Sequence, residues 1–160
     1  MNEPIDVERE YWKKHLFGGK GNLKSEYHLK NGKRDGLQTS WYESGNKWGE
    51  SQWKDDEQTG LFTSWYESGN KWGDSYYVNG TLDGLLTRWH ESGKKMLEVN
   101  FKNGKEEGLE TTWYESGEKK EESYYREGKK QGKTTGWDKD GNKTHESQFV
   151  DGHKVHEKNF

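Results

Sequence analysis

The chain has 160 residues, with 26 Lys and Arg against 29 Asp and Glu, a formal charge of −3; 34% of the residues are charged and 26% hydrophobic. Leu, Ile, Val and Phe number only 21, about 13%, which excludes a two-layer globule with an aliphatic core, while the small net charge argues against a disordered chain. The 9 Trp, 9 Tyr and 21 Gly point instead to flat rings buried beside bare backbone; without Cys there can be no disulfide, thiol catalysis or Cys-ligated zinc, and the slight acidic balance argues against a general nucleic-acid binder.

The N-terminal stretch MNEPIDVEREYWKK has no apolar run of the signal-peptide kind, and no later segment approaches a membrane span, so the expected location is cytoplasmic. Pro4 is placed for the first turn of a helix. A helix over Glu3–Lys14, with Ile5, Trp12 and Leu16 available to pack, is the predicted cap on the first sheet edge, giving an N-terminal cap over residues 1–16.

From there a 24-residue period governs the chain. TSWYESGNKWG occurs at Thr39–Gly49 and again, identically, at Thr63–Gly73. The same offset aligns Gly36, Gly60, Gly84, Gly108 and Gly132, and likewise Trp41, Trp65, Trp89, Trp113 and Trp137. Gly45 and Lys47 recur with them through five gapless units. A weaker copy precedes them, with Phe17 in the Trp place and Gly21 in the turn. Val150–Phe160 begins a further unit and stops, so the repeat array is placed at 17–155 and a charged tail at 156–160.

Each unit holds two turn signals. One is ESGNK, as at Glu43–Lys47; the other is the Asn-Gly type, as at Asn31-Gly32, Asn79-Gly80 and Asn103-Gly104, whose residues accept the positive φ of a tight hairpin. Asp55-Asp56 breaks the series with a residue that tolerates such backbone better than most. The segments between turns are rich in Trp, Tyr and Thr and read as strands. The predicted fold is all-β: a single-layer, twisted antiparallel meander of hairpin repeats. Gly84 and Gly108 are expected to need positive φ or to touch a ring. The favoured register gathers Leu37, Thr39, Trp41, Ser51 and Trp53 on one face, where the Trp53 column continues as Tyr77, Phe101, Tyr125 and Phe149.

The phrase Phe101, Asn103, Gly104, Glu107, Gly108, followed by Trp-Tyr-Glu-Ser-Gly-x-Lys at Trp113–Lys119, resembles the bacterial variant of the MORN repeat over roughly residues 17–155. Chains built only of such repeats are often assigned to the YwqK family of antitoxin or immunity proteins. The resemblance implies a non-catalytic protein that neutralises a toxin encoded beside it, and a curved meander with an aromatic-lined groove. Other MORN-repeat proteins are scaffolds or modules linked to membrane contact. The departures at Lys133, Asp138 and Asp140 mark where the groove ends or changes character.

Several strings imitate chemistry. Gly128–Thr134 reads GKKQGKT, one residue short of a phosphate-binding loop, and the repeat already accounts for both glycines. Asp138–Asn142 reads DKDGN, but Lys143 and Phe149 stand where a calcium loop needs Gly and Glu. Ser44, Ser68, Ser92 and Ser116 are equivalent turn residues, whereas a nucleophile requires one copy with a positioned base. His145, His153 and His156 lack a nameable third ligand. No catalytic, metal or cofactor site is therefore assigned.

The expected activity is binding, with partner-contact candidates Trp41, Trp48, Trp65, Trp72, Tyr76, Trp89, Trp113 and Tyr124 and the acidic series Glu50, Asp74, Glu98 and Glu122. The acids have a structural alternative, pairing with Lys47, Lys71 and their equivalents. A protein partner, a toxin from an adjacent gene, leads. A general scaffold is the alternative, and membrane attachment is disfavoured by the net charge and the lack of a polybasic cluster.

Overall fold

A computed structural model of the chain describes residues 5–13 and 20–160. Among them the strands are β1 (Asp6–Lys13), β2 (Lys20–Lys30), β3 (Lys33–Trp41), β4 (Lys47–Lys54), β5 (Glu57–Trp65), β6 (Lys71–Val78) and β7 (Thr81–Trp89). They continue as β8 (Lys95–Lys102), β9 (Lys105–Glu106), β10 (Gly108–Trp113), β11 (Lys119–Arg126), β12 (Lys129–Trp137), β13 (Lys143–Val150) and β14 (His153–Asn159). All fourteen lie in one open antiparallel sheet in chain order, with the short β9 pairing only β8. The single-layer meander expected from the repeat is the fold. Among the described residues Val99 alone is a buried hydrophobic side chain; the other buried positions are Ser, Thr and the glycines Gly49, Gly73 and Gly136.

Each tight hairpin turns on two residues with positive φ: Asn31-Gly32, Asp55-Asp56, Asn79-Gly80, Asn103-Gly104, Glu127-Gly128 and Asp151-Gly152. Positive φ at both central positions matches the right-handed twist of the flanking strands. The second turn residue is also tied to the preceding unit, as in Gly80 N–H to the Gln58 carbonyl (2.8 Å) and Gly104 N–H to that of Leu82 (2.8 Å). The five-residue turns close through Tyr42 N–H to the Asn46 carbonyl (2.8 Å) and Gly45 N–H to that of Tyr42 (3.0 Å), a pattern repeated from Tyr66, His90, Tyr114 and Asp138.

Two expectations are corrected. The first concerns the cap: Asp6–Lys13 is not helical but forms β1, pairing with β2 from Asp6 opposite Leu29 to Lys13 opposite Lys20. An edge strand's unpaired N–H and C=O groups outweigh the weak helical signal of Pro4, because they offer every residue of the segment a ladder partner. Gly21 lies within β2 rather than in a turn. Pro4, Leu16 and Phe17 are outside the described residues. At the other end, the boundary drawn at 155 falls inside β14.

The second concerns the register. Leu37 and Thr39 face Gln52 and Glu50, while Ser51 and Trp53 face Gln38 and Gly36. Trp41 pairs Lys47 but Ser40 pairs Gly49, so Trp48 is an extra, bulged residue. Extending the Trp41–Lys47 pairing without that bulge would place Leu37 opposite Ser51, the expected register. One inserted residue moves every partner by one position and exchanges the faces. The same shift recurs at Trp65, Trp89, Trp113 and Trp137.

Candidate binding surfaces

The shifted register sorts the sheet into two faces. On one, Thr39, Thr63, Thr87, Thr111 and Thr135 stand opposite Glu50, Asp74, Glu98, Glu122 and Glu146. Each acid is held by the lysine three residues earlier, from 2.5 Å at Lys95–Glu98 to 3.0 Å at Lys71–Asp74. The same lysines reach the next unit: Lys47 lies over Trp65 at 5.2 Å, Lys71 over Trp89 at 5.3 Å, and Lys95 over Trp113 at 5.6 Å. Lysine at one position therefore joins an acid within its strand to a ring in the following repeat. Glu146 has a second partner, Lys133, and the two lysines hold its carboxyl down to about 2.

Beside this ladder runs a row of uncovered apolar groups. Leu61 faces Tyr76 and Leu109 faces Tyr124, with Leu85 between them. These five side chains are 45–53% exposed, although a row of Leu and Tyr would ordinarily be covered.

The opposite face carries the buried Ser51, Ser64, Ser75 and Ser123. Here the ring column falls across from the glycines: Trp53 opposite Gly36, Tyr77 opposite Gly60, Phe101 opposite Gly84, Tyr125 opposite Gly108 and Phe149 opposite Gly132. All five glycines have positive φ. The bulged Trp48 and Trp72 reach this side: Trp48 meets Phe62 with ring centres 6.1 Å apart, and the Arg88 guanidinium lies 4.4 Å over Trp72. Arg88 also donates to Ser75 Oγ at 3.2 Å, and burial lowers its pKa from the ordinary arginine value.

The predicted candidates are thus divided. Trp65, Trp89 and Trp113 sit under lysines, Glu50, Asp74, Glu98 and Glu122 are paired, Tyr76 and Tyr124 are open, and Trp48 and Trp72 serve the other face; Trp41 lines a cavity with Trp12 and Trp48. Sequence reasoning passed over Leu61, Leu85 and Leu109, although their 24-residue spacing is visible.

Toward the C-terminal end the serine-bearing face turns polar. Burial raises Glu110, and burial together with Glu110 raises Tyr125. Burial alone would also raise Glu121, but Lys130 at 2.8 Å brings it below the usual carboxylate value. At the N-terminal end a cavity of about 440 Å³ opens among Trp12, Trp41, Tyr42 and Trp48, with Gln38 and Ser40.

The imitation motifs have structural employment. Gly128 belongs to a tight turn and Gly132 faces Phe149. The Asp138 carboxylate accepts from Asp140 N–H and Asn142 N–H, each at 2.9 Å. Among the described residues no group of three or more His, Asp and Glu could hold a metal ion.

Four consecutive stretches, residues 34–55, 58–79, 82–103 and 106–127, match the family described as MORN repeat variant. The chain belongs to that family. Among curated proteins none matches it. MORN repeats form scaffolds that often bind protein or membrane, and the family is generally a non-catalytic module. The fold continues past the last matched MORN unit into β12 and β13, where Asp138 replaces the turn tyrosine and bonds within its own loop.

Proposed function

We propose that this MORN-repeat protein binds another protein without catalysing a reaction, and that it serves as an antitoxin or immunity protein, blocking a cognate toxin by direct contact in the cytoplasm. The observation that carries the binding role is the exposed row Leu61, Tyr76, Leu85, Leu109 and Tyr124 on a face otherwise neutralised by acid–lysine pairs. A row of half-exposed Leu and Tyr supplies apolar area and rings for a partner, and the flanking charges set its orientation. The resemblance to YwqK-type proteins supports the finer role.

Co-expression with the product of the adjacent gene tests it. The expected result is a stoichiometric complex, rescue of growth, and at least about tenfold weaker binding in Leu85→Glu and Leu109→Glu. No complex and no rescue would overturn the antitoxin role, and a non-toxic partner recovered on the same face would favour a general scaffold. Sedimentation with anionic vesicles would favour the membrane alternative.

A further inference from the structure

In the two units that follow, larger side chains occupy the space that corresponds to the N-terminal cavity. Gln38 aligns with Phe62 one unit on, where the ring covers Gly49, its Cε2 only 3.1 Å from the point a Cβ would occupy. Ser40 aligns, two units on, with Arg88, whose side chain covers Gly73 and stacks on Trp72, the counterpart of Trp48. With the shorter Gln38 and Ser40 in these places, and with Trp12 brought alongside by β1, about 440 Å³ is left open.

The lining is mostly apolar and aromatic, with two acceptors set into it. Gln38 lines the cavity with its Oε1 enclosed and without a hydrogen-bond partner, so that a turn of the amide brings this acceptor to the open space, and Glu10 adds a carboxylate at the rim. A buried orphan acceptor is costly and asks for a donor. Lys24 stands at the mouth, 3.4 Å from Glu10 and 5.5 Å from the Trp12 ring centre, so the site already draws a cation to its edge. Arginine fits all of these features: a planar cation with five donors and no acceptor, able to lie on an indole face while bonding an amide oxygen and a carboxylate. The chain itself uses the same pairing twice, with Arg34 3.6 Å over Trp53 and Arg88 4.4 Å over Trp72.

We infer that this cavity is a receptor for an arginine side chain presented by a protein partner. The inference rests on the protein-binding role proposed above, but its test does not require the partner.

N-acetyl-arginine N-methylamide is titrated into the full chain while the indole N–H resonances of Trp12 and Trp48 are followed. Saturable shifts are expected, with binding about tenfold weaker for the neutral citrulline analogue, for Glu10→Gln and for Gln38→Met. Lys24→Met, which removes the competing cation, is expected to tighten binding. Ser40→Arg supplies the guanidinium from within and is expected to abolish it. Equal response to the citrulline analogue, or none to the arginine probe in correctly folded wild-type protein, would overturn the inference. Tighter binding of free arginine than of the blocked amide would overturn the protein source of the group. Saturable arginine binding in a protein that shows no toxin complex would leave the pocket standing and remove only the antitoxin role.

Discussion

The phenol of Tyr66 donates to the carbonyl of Trp89 at 2.8 Å, across 23 residues, and so joins one turn to the strand end of the next unit. Tyr42 does the same to Trp65 and Tyr114 to Trp137, at 2.8 and 2.9 Å, and His90 Nε2 meets the Trp113 carbonyl at 3.1 Å. In a repeat array such nearest-neighbour bonds are the coupling between units. Tyr66→Phe should therefore cost about 1 kcal/mol and lower the melting temperature by about 2–4 °C. His90→Tyr, which restores the tyrosine of the other units, should be neutral or stabilising. Thermal denaturation followed by near-UV circular dichroism checks both.

Glu127 has φ +50° in a tight turn where Asn or Asp serves in the other hairpins. Its backbone N–H donates to Glu107, a bond that survives replacement of its own side chain. Glu127→Asn should stabilise the protein by about 0.5–1 kcal/mol, since left-handed backbone costs other side chains roughly 1–2 kcal/mol. A lower denaturation midpoint in urea would refute it.

Gly84 and Gly108 separate two kinds of strain. Both have positive φ, but a Cβ at Gly84 would lie 3.0 Å from that of Tyr76, whereas at Gly108 nothing stands within 4 Å. Gly108→Ala should cost about 1 kcal/mol from backbone conformation alone, and Gly84→Ala should cost more. Equal losses in chemical denaturation would show that the contact with Tyr76 relaxes freely.

Glu146 and Glu110 give opposite pH dependences. The folded protein holds Glu146 down to about 2, chiefly through its hydrogen bond to Lys133 and then that to Lys143, so its contribution is present above the unfolded carboxylate value and is lost as pH falls toward 2. Burial raises Glu110, so the folded state retains its proton longer than the unfolded chain does. Its favourable contribution is therefore present below the unfolded value and lost as pH rises through the folded one. Glu146→Gln should flatten the acid side of the stability profile. Glu110→Gln should remove the loss on the neutral side, as measured by urea denaturation across pH 2–7.

Repetition made most of the fold readable. Asn31-Gly32 and its equivalents announce their turns through backbone chemistry that any copy would show, and Trp41 to Trp137 in equal steps declare the strands. The face assignment was not readable, because the bulge at Trp48 changes no composition and leaves the period at 24 while reversing the parity. β1 was misread for a related reason: Pro4 is a local signal, whereas the demand of the β2 edge is a tertiary one. Of the candidate surfaces, the lysine–acid pairs were legible in their spacing. The cavity was not, since Trp12 lies outside the period and meets Gln38 and Trp48 only once β1 has paired.

The identical segments Thr39–Gly49 and Thr63–Gly73 make the gene's length a soft property. Loss of residues 39–62 would join Gln38 to Thr63 and leave every turn with a proper successor: Trp12, which now donates to the Trp41 carbonyl at 3.3 Å, would meet that of Trp65 instead. Replication slippage in whole units would then shorten or lengthen the molecule while sparing both ends, so that reach can evolve separately from the terminal cavity.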